Sequence, residues 1–207
     1  MKPIASLVAA ALALFAGGCG VPLQPAPSKS FFMLNVPPDT VPIAIDGVSD
    51  ACVFLRSVSV RPQFSGAALV YRTSELTYEK DYYNEFLSAP DQQIGDIVAE
   101  WLRFGGVRVC GGSFGEGTQR LIFEPHLEAL YADFRTPSAP AAYARMWFVL
   151  THYDPSCGCS AIVLDETFEA VAPLPARPTT EAVVGAMSQA LHEVLTQLGA
   201  SLQEVIQ

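Results

Sequence analysis

"RLIFEPHLEALYADFRTPSAPAAYARMWFVLTHYDPSCGCSAIVLDETFEAV", residues 120–171, decides the fold class. Residues 120–134, 143–153 and 160–171 read as three long strands. The segments between them, "RTPSAPAA" and "DPSCGC", are rich in turn formers. Three long strands in succession, with no helix among them, predict an antiparallel meander.

The flanks supply the helices. After Pro178, Thr179 or Thr180 caps a long helix. Its stripe of Val183, Val184, Met187, Leu191, Val194, Leu195, Leu198, Leu202 and Val205 predicts a helix lying across one face of the sheet. Upstream, Ser88-Ala89-Pro90-Asp91 resembles a capping box with proline in the first turn. Ile94, Ile97, Val98, Trp101 and Leu102 then repeat at helical spacing, Gly105-Gly106 ends the run, and "VRVC" resumes as a strand. Further upstream, "FFMLNV" (31–36) reads as an edge strand. "CVFLRSVSVRP" (52–62) reads as a strand stopped by Pro62, and residues 67–73 and 75–80 as a hairpin around Thr73-Ser74. The predicted class is α+β, a mixed or antiparallel sheet with two main helices packed on it.

The amino-terminal end has a different character. Met1-Lys2-Pro3 is a short positive start, Ile4 to Phe15 is almost wholly apolar, and Ala16-Gly17-Gly18 is small. That is the layout of a secretory signal, too short for a span of roughly 20 apolar residues. Cys19 follows, and the junction resembles a bacterial lipobox, with Ala16 where Leu is commonest. The resemblance implies that residues 1–18 are a signal peptide and that Cys19 is acylated, which places covalent lipid such as palmitate there. No other cofactor is expected. Gly20 stands where Asp would resemble an inner-membrane retention signal, so the expected site is the periplasmic face of the outer membrane. Residues 19–30 then form the lipidated cysteine and a proline-rich tether, and residues 31–207 a single domain.

Charge narrows the partners. The chain carries 12 Lys and Arg against 21 Asp and Glu, for a net charge of −9. Such a domain is repelled by nucleic acid, so membrane attachment falls to the acyl anchor. Cys52, Cys110, Cys157 and Cys159 remain in an exported chain, and oxidising compartments favour pairing. Four cysteines allow three connectivities, which sequence does not separate; buried free thiols and metal or redox chemistry also stay open. His126 and His152 have no standard zinc-ligand spacing to these cysteines.

Catalytic signals are weak. Glu124, His126 and Glu128 share one face of a strand, and three such polar residues read as a solvated sheet face. "GGSFGEG" (111–117) lacks a Walker lysine, no Gly-x-Ser-x-Gly elbow is present, and His192 reads as lying at the polar edge of the last helix. These readings point to a protein that is not an enzyme. "YEKDYYNEFLSAP" (78–90) is the most distinctive stretch. Its Tyr82, Tyr83 and Phe86 are candidates for a partner surface, since such rings bury much area at low entropy cost.

The combination of lipobox, aromatic first strand "FFML" and "VSVRPQFSGAALVYRTSELTYEKDYYNEFLSAPDQQIGDIVAEWL" (58–102) resembles the ABC-type transport auxiliary lipoproteins of the paraquat-inducible protein C type. The shared parts are Val58 to Pro62, Phe64, Leu69 to Arg72, Tyr78 to Tyr83 and Trp101. The four mature cysteines are a departure from that pattern. The resemblance implies a non-catalytic component of an MCE-linked system moving lipids or other hydrophobic substrates across the envelope. Its partners would be an MCE-type protein and an ABC permease and ATPase, with a homo-oligomer also open. The alternative is a lipoprotein that regulates peptidoglycan synthesis, or another envelope machine, by docking.

Overall fold

The computed structural model describes residues 28–37, 52–110 and 120–205. The signal segment, Cys19, most of the tether, residues 38–51 and the glycine-rich run at 111–117 lie outside them.

Strand β7 (Arg120–Asp133) is the spine. Along one edge it pairs antiparallel with β8 (Ala141–Asp154), which pairs antiparallel with β9 (Cys159–Pro173), as the meander predicts. The other edge of β7 is shared in turn by three parallel strands. These are β2 (Cys52–Leu55), β3 (Ser59–Val60) and β4 (Ala68–Arg72). Strand β5 (Tyr78–Phe86) pairs antiparallel with β4, and β1 (Ser30–Phe32) lies parallel to β5 at the margin. Strand β6 (Val109–Cys110) extends β2. The result is the predicted α+β arrangement on a mixed sheet.

The single strand expected over 52–62 is two, with a break between Leu55 and Ser59. Pro125 explains the position of the break. On β7 it falls between Phe123, the partner of Leu55, and His126, the partner of Ser59. A proline gives no N–H to a ladder, so pairing stops there and restarts.

Helix α1 (Pro90–Phe104) and helix α2 (Thr180–Val205) cover one face. Helix α1 buries Ile94, Val98, Trp101 and Leu102; helix α2 buries Met187, Leu191, Val194, Leu195, Leu198 and Leu202. Beneath them Phe123 and Phe148 stack at 5.6 Å, flanked by Leu127 and Met146. Thr179 caps α2, its hydroxyl accepting the Ala182 N–H at 3.3 Å. Ser88 does not cap α1. The cap position is Ala89, without a side-chain bond, and Pro90 needs no partner for its nitrogen. The Ser88 carbonyl instead accepts from Gln93 Nε2 at 2.7 Å, while Gln93 Oε1 accepts the Leu34 N–H at 2.8 Å. This buried amide ties the chain after β1 to the start of α1. The fully buried core begins at Leu34, so a domain starting at Ser28 keeps all of it.

Candidate functional site

The helices leave the opposite sheet face open. Glu124, His126 and Glu128 do share this face, yet each is engaged. Glu124 pairs with Arg56 at 3.4 Å. Glu128 lies between two guanidiniums, accepting from Arg61 and, at 2.8 Å, from Arg145 Nε. Glu128 is the unpaired residue of a bulge in β7 between Leu127 and Ala129. Arg145 also reaches Glu169 at 3.4 Å, and the Tyr143 hydroxyl donates to the same carboxylate. Burial and that bond push the Tyr143 phenol up to about 12.

Beside this charge network lies an aromatic cleft of about 430 Å³. Phe64 enters from a short 3-10 turn, Pro62–Phe64. It stacks on Tyr131 at 6.1 Å, and Tyr78 meets both rings edge-on at 6.3 and 5.6 Å. Tyr143 continues the row, 5.1 Å from Tyr131. Phe64, Val70, Ala129 and Tyr131 are a second apolar cluster, buried without help from either helix. Exposed Arg61, Lys80 and Arg145 also line the cleft. A neighbouring cavity of about 440 Å³ shares Tyr131 and Tyr143 and is bounded by Arg72, Asp133 and Arg135. There the Arg135 guanidinium holds the Asp133 carboxyl below its ordinary range. His192, expected at the polar edge of its helix, is half-buried and lines a third cavity of about 450 Å³ with Phe32, Met33 and Ser188.

One contact had no sequence signal. Ser59 Oγ is hydrogen-bonded to His126 Nδ1, 67 positions away in sequence. The imidazole stacks on Trp147 at 4.4 Å, and Trp147 Nε1 donates to Asp165 at 2.6 Å. A nucleophile–base pair needs a group to orient the base. Among the described residues, the acceptor Asp165 serves the indole instead.

The tyrosine segment continues as strand through Phe86, beyond the hairpin arm expected to end at 80. Between the partner pairs Ala68–Glu85 and Val70–Lys80, β4 has one residue and β5 has four, so Asp81–Asn84 bulges outward. Asp81 pins the bulge by accepting the N–H groups of Tyr83 and Asn84 at 2.9 and 3.0 Å, the Asn84 amide at 2.8 Å and the Tyr71 hydroxyl at 2.9 Å. Tyr82 and Tyr83 meet edge-to-face at 5.1 Å on the bulge, 70% and 44% exposed. Lys29 lies 4.9 Å over the Tyr82 ring and pairs with Glu85. Phe86 corrects the expectation. It is only 4% exposed and belongs to the core, because the strand resumes its alternation after the bulge and turns that ring inward.

Burial tends to raise the Asp81 carboxyl, but its hydrogen bonds outweigh burial and hold it below the ordinary value of 3.8. A lowered folded pKa stabilises fully above the unfolded value, and the gain is lost as pH falls through the folded one. Asp81→Ala is therefore expected to cost about 1–3 kcal/mol at neutral pH. The gap from wild type should close as pH drops below about 4. Melting curves of both proteins from pH 7 to 2.5 check this; a gap independent of pH would refute the ionised pin.

Cys157 and Cys159 form a disulfide across the β8–β9 turn, with Gly158 between them at φ 63°. Cys110 is also disulfide-bonded. Cys52 opens β2, and its side chain is outside the described set. Among the described residues, no three His, Cys, Asp or Glu side chains gather as a metal site.

No family model matches the chain, and no curated protein matches it. Solved structures do resemble it. A Xanthomonas campestris protein of the family DUF330 superposes with a TM-score of 0.64 at 18% identity, covering 84% of this chain and 95% of that one. An uncharacterized protein gives 0.59 at 16% identity, covering 87% of this chain and 99% of its own. A hypothetical protein from Chlamydia trachomatis gives 0.50 at 8% identity, covering 75% and 97%. At these identities the likeness is one of fold.

Proposed function

We propose that this chain is a lipid-anchored, non-catalytic docking component of an MCE-linked ABC-type system. It stands at the periplasmic face of the outer membrane and helps move lipids or other hydrophobic substrates. The observation that carries the docking role is the Tyr82–Tyr83 pair, held out on a pinned bulge with 70% and 44% of its surface exposed. A preorganised aromatic pair loses little entropy when a partner covers it. The MCE assignment rests on the sequence resemblance carried by the lipobox, "FFML" and residues 58–102.

Capture of an MCE-type protein from solubilised envelopes, at native expression, tests the reading. Capture of cell-wall synthases in its place would favour the peptidoglycan alternative, and recovery of only the chain itself would leave self-association as the role of the bulge. The anchor has its own test. Cys19→Ser is expected to abolish incorporation of labelled palmitate and to leave the chain unprocessed or free of the outer membrane. One acyl chain binds only marginally and two or more bind stably. Labelling equal to wild type would overturn the anchor.

A further inference from the structure

The aromatic cleft on the open sheet face has no task in the docking role, since neither Tyr82 nor Tyr83 lines it. Its chemistry is unusual for this chain. The protein as a whole is acidic at −9, yet the charged residues lining the cleft are Arg61, Lys80, Arg145 and one carboxylate, Glu128. That carboxylate is divided between two guanidiniums. Lys80 has no hydrogen-bond or ion-pair partner among the described residues. Glu169, paired with Arg145, is a second carboxylate beside the cleft, so one positive charge is left over, on Lys80. It borders an aromatic surface whose accessible part is Tyr78 and half-buried Tyr143, lying over buried Phe64 and Tyr131.

We propose that this cleft binds a single-chain anionic amphiphile, with its carboxylate or phosphate head against Lys80 and Arg61 and its apolar body along the aromatic row. The volume of about 430 Å³ falls within the roughly 300–1,000 Å³ typical of small-molecule sites, which pair apolar walls with a few placed polar groups. A sugar fits less well. Two of the three cleft hydroxyls are engaged, Tyr143's donating to Glu169 and Tyr131's accepting from Arg72, which leaves Tyr78's to read one. A cationic ligand is opposed by the three cations, and Glu128 is already paired. Phe64 and Tyr131, 6.1 Å apart, admit no ligand between them and are themselves buried, so the apolar body lies over Tyr78 and Tyr143.

The test uses the purified domain from Ser28 and needs no transport partner, so its outcome is independent of the docking proposal. Titration calorimetry compares palmitate, a lysophospholipid with a phosphate head, the matching fatty alcohol and inorganic phosphate, all below micelle-forming concentrations. Saturable binding of palmitate or of the lysophospholipid is expected, with the alcohol and phosphate at least tenfold weaker. Palmitate alone identifies a carboxylate head, and the lysophospholipid alone a phosphate head. Lys80→Glu should weaken binding at least tenfold with melting unchanged, because Lys80 is exposed. Tyr78→Ser should weaken it through the apolar body. The proposal is overturned if neither amphiphile binds, if the alcohol or free phosphate binds as tightly, or if Lys80→Glu binds like wild type.

Discussion

Replacing Trp101 with alanine is expected to destabilise the domain by about 3–5 kcal/mol, the range for deleting a buried aromatic side chain. The indole is 3% exposed and sits where α1 meets α2. A Cβ on Gly199 would lie 3.3 Å from Trp101 Cζ2, so the ring occupies the space a side chain at 199 would need. Removing it opens a cavity between two helices that are each anchored elsewhere, α1 by Ile94 and Val98 and α2 by Leu195 and Leu202. Neither helix can collapse into the gap without losing those contacts. At about 2–4 °C per kcal/mol for a domain of this size, melting should fall by about 6–20 °C. Denaturant midpoints at unchanged slope give the free energy directly. Gly199→Val should act in the same direction by overfilling the same contact. A loss below about 1 kcal/mol for Trp101→Ala would show that the indole does not bridge the helices.

That contact shows what the sequence discloses and what it withholds. Trp101 falls on the apolar stripe of α1 and Leu198 on that of α2, so both helices and the faces they bury are legible from spacing alone. The three long strands are legible for a similar reason, since apolar residues recur along each and turn formers separate them. Gly199 carries no signal of its own, because a ring 98 positions away explains it. The fork on β7 is equally non-local. Pro125 is visible as a disturbance, but only the paired structure shows that it divides β2 from β3.

From spacing alone the tyrosine segment reads as a hairpin arm ending at 80, because "KDYYNE" is polar and polar runs resemble loops. Its strand character comes from β4 and β1 on either side, a case of tertiary context deciding over propensity. The aromatic cleft draws on four separated segments, the 3-10 turn, β4 with β5, β7 and β8. Single side chains such as Phe64 and Tyr131 are conspicuous in the sequence, but nothing local says that they meet. The Ser59–His126 bond is hidden in the same way.

The bulge in β5 yields a sharp division among neighbouring aromatic rings. Phe86→Ala is expected to lower the stability of the Ser28 domain by about 3–5 kcal/mol, since the ring is 4% exposed and packs in the main core. Tyr82→Ala and Tyr83→Ala should leave stability within about 0.5 kcal/mol of wild type, as exposed substitutions usually do. Their cost should appear in partner binding. An interface hot spot loses about 2 kcal/mol or more on truncation, close to thirtyfold in affinity. The prediction turns on Asp81. Its hydrogen bonds hold the bulge in shape whether or not a partner is present, so the two tyrosines contribute little to folding and are free to act outward. Melting and partner capture for the three alanine variants, measured side by side, separate the roles. If Tyr82→Ala and Tyr83→Ala melt as low as Phe86→Ala, the pair is structural and the docking surface lies elsewhere. If they melt normally and capture the partner as well as wild type, the bulge presents rings that no partner uses.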